Sequence, residues 1–281
     1  MPIFHERQAR LRVGVSDGLR MISRRAVIAA GLLASGVAGA APAWAAWKDL
    51  LNMLPTAAAM NSARQARGRS PISLAVQKIE DAAAQATNFD RYPVKITKMP
   101  GGTLASPAAL LQHIRIDLNT FFDHSVSTIE AFTPADDADW KKPGSAPVGS
   151  VMLFRAYLGP LQEQGAVVTS ATGPLKWIFT PVKIGLAQPG EHPVAGNREF
   201  GIVAVGAGGF ELYTRAADRA LAGLIDPSEG IVYGGADKLW RSWQAKVAAF
   251  VNSEGGQAAV VEPTTYKPSW EDVKSSGLFN R

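Results

Sequence analysis

Six short runs between residues 127 and 215 carry apolar side chains at about every second position, and this alternation constrains the fold more than anything else in the chain. They cover residues 127–132, 150–158, 165–170, 175–182, 198–205 and 210–215. A period of two is that of a strand with one buried face. Pro, Gly and Asp clusters divide the runs, among them Pro134-Ala135-Asp136-Asp137, Lys142-Pro143-Gly144 and Thr172-Gly173-Pro174. No helical pattern intervenes, and parallel strands need a crossover that is usually a helix, so antiparallel pairing is expected.

Helical periodicity flanks this region. Residues 72–86 place apolar side chains at 72, 75, 76, 79, 82, 83 and 86, which predicts a helix. A short strand is expected at 94–97. Ser106 is a natural N-cap with Pro107 at the first helical position, and Leu110, Leu111, Ile114, Leu118, Phe121 and Phe122 supply a buried stripe. A second clear helix spans 236–251, with Trp240, Trp243, Val247, Phe250 and Val251 on one face. A last strand at 258–262 and a capping box at Ser269-Trp270-Glu271-Asp272 close the chain. Helices, then strands, then helix make an α+β class: an antiparallel sheet of five to seven strands packed against N- and C-terminal helices. Residues 71–281 are expected as one domain, with 46–70 a tether or peripheral helix. Trp177, Trp240 and Trp243 belong in the core on this reading, and Trp140, beside Asp136, Asp137 and Asp139, at the surface.

The segment from Met21 to Trp47 has an Arg pair, an uncharged Ala/Gly/Leu run and an A-x-A site at Ala43-Trp44-Ala45, the three-part build of an export signal. Ser23-Arg24-Arg25-Ala26-Val27-Ile28 resembles the bacterial twin-arginine signal. The signal implies that the chain meets the export machinery, that residues 1–45 are removed and that the product is periplasmic or secreted; a start at Met21 would give a compact signal, so residues 1–20 are expected to be an over-called gene start. The small residues of the run and Pro42 favour cleavage over retention as an anchor, and no later stretch is long and apolar enough to span a bilayer. Cleavage also changes the charge. The chain has 29 Lys+Arg and 24 Asp+Glu, and residues 1–45 hold six of the bases and two of the acids, which leaves 23 against 22. That near-neutral balance argues against nucleic acid as a partner.

There is no cysteine, so disulfides, thiolate catalysis, iron–sulfur clusters and cysteine zinc sites are excluded. A chain of about 236 residues after cleavage must rely on its core, and at that size it buries roughly 70% of its unfolded surface. The sequence has no nucleophile elbow or His-Glu-x-x-His motif, and Gly206-Ala207-Gly208-Gly209 lacks phosphate-loop spacing and reads as a hairpin tip. No cofactor is indicated. A helix running on past Asp123 would bring His113, Asp117 and His124 together as a metal set; the simpler reading is the polar flank of that helix.

The densest polar cluster is His192 to Gly201 with Tyr213 to Arg219. If residues 206–209 form the loop, Val205 pairs with Phe210, and Arg198, Tyr213 and Arg215 share one face near His192. Paired guanidiniums need an anion between them: internal (Glu199, Glu211 or Asp218), or a bound anionic small molecule. The leading expectation is therefore an exported binding protein using His192, Arg198, Tyr213 and Arg215. The alternatives are a hydrolase or effector-type enzyme with His192 as general base, and a metal protein using His113, Asp117 and His124. The blocks at 192–201 and 213–219, with the tryptophan helix at 240–251, are similar to uncharacterised bacterial exported proteins, a resemblance that implies no fold or activity.

Overall fold

The computed structural model describes residues 41–158, 161–185, 191–206, 208–221 and 228–281. The export signal thus lies, except for residues 41–45, outside the described residues. In chain order the helices are α1 (Lys48–Asn52), α2 (Ala57–Gln65), α3 (Pro107–Ile116), α4 (Pro134–Trp140), α5 (Ser228–Ser253) and α6 (Trp270–Ser275). The strands are β1 (Leu74–Val76), β2 (Asn88–Lys98), β3 (Ser127–Ala131), β4 (Val151–Leu158), β5 (Leu161–Gly173), β6 (Lys176–Ile184), β7 (Val194–Val205), β8 (Gly209–Ala220), β9 (Gln257–Val260) and β10 (Thr264–Tyr266).

Among the described residues all ten strands join one antiparallel sheet, in the order β10-β2-β8-β7-β6-β5-β4-β3. The short strands β1 and β9 pair with the ends of β6 and β2. The α+β class and the antiparallel pairing agree with the alternation. The sheet is wider than the expected five to seven strands in part because β1 and β10 are only three residues long, too short to show a period. For the same reason the helix expected at 72–86 is absent. Four of its seven apolar positions are alanines that bury little area, and Leu74–Val76 pairs with the part of β6 beyond the reach of β7.

Both faces of the sheet are covered. The inner face packs against α3 and α5 through Phe200, Ile202 and Leu212 from the strands, Leu110 and Ile114 from α3, and Trp240, Trp243 and Val247 from α5. Ser106 caps α3 by accepting from the Ala109 amide, as its sequence predicts. The outer face packs against the segment at 46–70, whose Leu50, Leu51 and Met60 are buried, and against α6, whose Ser269 caps it. That segment is anchored further by the Arg64–Asp136 ion pair at 2.6 Å, with both side chains buried.

Trp140, expected at the surface, is 2% exposed. Its ring stacks on Phe179 at 5.5 Å, and its indole N–H donates to the Arg115 carbonyl at 2.9 Å. The acidic stretch around it is a helix capped by Thr133. Asp136 and Asp139 are buried against Arg64, Arg67 and Arg69, partners some seventy residues upstream.

Candidate functional site

The β7–β8 register decides which polar residues meet. Val205 lies opposite Gly209, not Phe210, so Arg198 faces Ala216, Phe200 faces Thr214 and Glu199 faces Arg215. Gly209 joins the strand and the tip shortens to three residues, with Gly206 and Gly208 at φ 60° and 88°, conformations that glycine adopts without penalty. Ala207 lies outside the described residues. A one-residue difference in register moves every side chain of one strand to the other face. Arg198 therefore projects inward with Phe200, whereas Tyr213 and Arg215 project outward, and the expected Arg198–Arg215 pair does not form.

The outer group is closed upon itself. The Glu199 carboxylate, fully buried, accepts from Tyr213 Oη at 2.7 Å, Arg215 Nε at 2.9 Å and Lys176 Nζ at 3.0 Å. Arg215 reaches on to Asp49 at 2.6 Å and to the Ala46 carbonyl, tying α1 to the sheet. The Arg91 guanidinium lies 3.8 Å over the Tyr213 ring and pairs with Glu211. Burial works to raise the Glu199 pKa, but the Arg215, Tyr213 and Lys176 donors outweigh it and the net direction is down. For Tyr213, burial and the Glu199 charge act together and push the phenol well up. The anion between these cations is an internal one, Glu199.

The inner group is different. Between the inner face of the sheet and α5 lies a cavity of about 110 Å³, walled by Phe122, Ile129, Phe154, Val167, Phe179, Phe200, Leu239 and Trp240. Arg198, Asp218 and His192 also line it. Arg198 pairs with Asp90 at 2.7 Å, lies 3.8 Å from Asp218, and stacks its guanidinium 4.2 Å over the Trp240 ring. The Asn88 amide donates to both carboxylates, at 2.8 Å to Asp90 and 3.2 Å to Asp218. Burial first, then the Asp90 charge, raises the Asp218 pKa to about 7. Burial lowers the His192 pKa to about 4 and Arg198 adds to the effect, so the imidazole is neutral at pH 7. Gln77 clamps the His192 backbone, and the ring packs 5.3 Å from Phe154.

Of the four expected ligand residues, the structure brings His192 and Arg198 to one cavity and sends Tyr213 and Arg215 to the opposite face. Asp90 and Asn88 escaped the sequence reading because the strand was expected to begin at 94. The sequence carried little signal, since Arg91 breaks the polar–apolar alternation that Asn88-Phe89-Asp90 begins.

The metal set does not assemble. α3 ends at Ile116, His113 stacks on Phe250 at 4.7 Å and lies 3.5 Å from Asp117, and His124 meets the Asn119 carbonyl instead. Among the described residues no three His, Asp or Glu side chains come together to hold an ion.

No protein-family model matches the chain, and no curated protein matches its sequence. Several solved structures are similar to it. The Zhui aromatase/cyclase from Streptomyces sp. R1128 aligns with TM-score 0.40 and 10% identity over 60% of this chain and 96% of the other. A START superfamily protein from Mycobacterium smegmatis gives 0.38 and 10%, over 59% and 98%. The human StarD13 lipid transfer and protein localization domain gives 0.38 and 11%, over 64% and 82%. At these scores the likeness carries no functional conclusion.

Proposed function

We propose that this chain is an exported, non-enzymatic binding protein that holds a small, mostly apolar molecule in the cavity beneath α5. The observation that carries the reading is the division of that cavity: aromatic and aliphatic walls, with its charged groups confined to Arg198 and Asp218. Ligand sites have this composition, apolar for affinity with a few polar groups for orientation. An engineered apolar cavity of about 150 Å³ holds benzene, so a space of about 110 Å³ limits the occupant to about single-ring bulk. His192 is a poor general base here, since a buried imidazole with a pKa near 4 takes up a proton weakly at pH 7.

Thermal unfolding with and without toluene or anisole tests the binding reading. A ligand at about 100 times its Kd stabilises by about 2.7 kcal/mol, a readable rise in the midpoint. Ala236→Phe, which grows a ring from α5 into the cavity, should abolish that rise. If no probe raises the wild-type midpoint, or the variant responds equally, the cavity is not a binding site. Export rests on Arg24, Arg25 and the A-x-A site. A mature N-terminus near Ala46, with export blocked when both arginines become lysine, is the expected result, and a full-length membrane-extracted form would overturn it.

A further inference from the structure

The polar end of the cavity is lined by Asp218 and Arg198, and the Arg198 guanidinium is shared with a second carboxylate, Asp90. Asp90, on β2, takes the guanidinium of Arg198 at 2.7 Å. Asp218, on the neighbouring β8, is left 3.8 Å from the same nitrogen, beyond hydrogen-bond distance. Its Oδ1 accepts from Asn88, while its Oδ2 has no hydrogen-bond donor among the described residues, although the residue is only 7% exposed and lines the cavity. The other elements offset this charge only in part. His192 is neutral at pH 7. On α5, Asp237 adds a further acid, which accepts from Tyr92 and pairs with Arg241. Lys267 is solvent-exposed and outside the cavity lining, its ammonium 4.0 Å from the Tyr233 ring centroid; its charge favours the ionised form of Asp218 from a distance but donates no hydrogen bond to it.

We infer that the cavity selects an apolar molecule bearing a protonated amine, its ammonium set against Asp218; this rests on the binding reading above. An ammonium supplies both the missing positive charge and the missing donor, and charge-assisted hydrogen bonds are the strong ones. An alcohol supplies only the donor, and a carboxylate would meet two like charges. The anion expected from the arginines is thereby replaced by a cation. That Asp218 titrates near neutrality, because of burial and Asp90, makes the pairing open to a pH test.

Calorimetric titration of the full-length protein with 2-phenylethylamine, 2-phenylethanol, phenylacetate and toluene separates the cases. At pH 8 the amine should bind about 10- to 100-fold more tightly than the alcohol, the range of a charge-assisted contact, and phenylacetate should bind weakest. Between pH 8 and pH 6 its affinity should fall about tenfold as Asp218 takes up its proton, while toluene binding stays constant. In Asp218→Asn the amine and the alcohol should bind within about threefold of each other once the charge is gone. Equal or tighter binding of the alcohol by the wild type, or an amine preference that survives Asp218→Asn, would overturn the inference. Toluene binding alongside either result leaves the cavity reading standing, whereas no binding by any of the four removes both.

Discussion

Replacing Asp218 by Asn should make the protein more stable, and only above acidic pH. A carboxyl whose pKa rises from 3.8 to about 7 on folding binds its proton more tightly in the folded state than in the unfolded chain. Its contribution is therefore fully favourable below 3.8 and is lost as pH climbs toward 7. Above both values the folded state carries a cost on the order of a few kcal/mol for holding the ionised group. Asparagine keeps the shape and a partner for Asn88 and does not titrate. Thermal unfolding followed by circular dichroism from pH 4 to pH 8 measures the difference. The two proteins should nearly coincide near pH 4 and separate as pH rises, the variant ending several degrees higher on the scale of about 2–4 °C per kcal/mol for a chain of this size. Other groups shift in the opposite sense. Asp139, held well below the usual carboxylate range first by Arg69 and also by Lys142 and Arg67, contributes stability that is lost as pH falls. That term is common to both proteins and cancels in the difference. A gap between the curves that is the same at every pH would refute the reasoning.

Two further outcomes probe the two faces of the sheet. Trp243→Ala, at a fully buried position of α5, should cost about 3–5 kcal/mol in urea unfolding, and a change near zero would misplace the buried face of the helix. Arg215→Met strands the buried Glu199 with only Lys176 and Tyr213, and should cost about 2–4 kcal/mol while leaving probe affinity in the cavity unchanged. Lost binding with intact stability would return Arg215 to the ligand site.

Alternation alone determined that the middle of this chain is an antiparallel sheet, and the Ser106 cap and the tryptophan spacing determined the two helices that close its inner face. These are local signals: a period, a cap and a turn are each written within a few residues. The strand runs at 150–158 and 175–182 match β4 and β6 within two residues. The same holds for Trp177 and Trp243, whose burial follows from the face they occupy.

What depended on distant partners was not legible. Leu74–Val76 is a strand because β6 extends past β7, and Trp140 is buried because Arg64, Arg67 and Arg69 neutralise the acids around it. The candidate site turned on the smallest of these differences. Its residues were all visible in the sequence, but one residue of register at the Gly206–Gly209 tip determined which of them shared a face. Because side chains alternate at every residue, that single step put Arg215 against Glu199 on the outside and left Arg198 and Asp218 together on the inside. Only the packing of both faces, which buries Phe200 and Leu212 under α5 and Glu199 under its three donors, decides between the two registers.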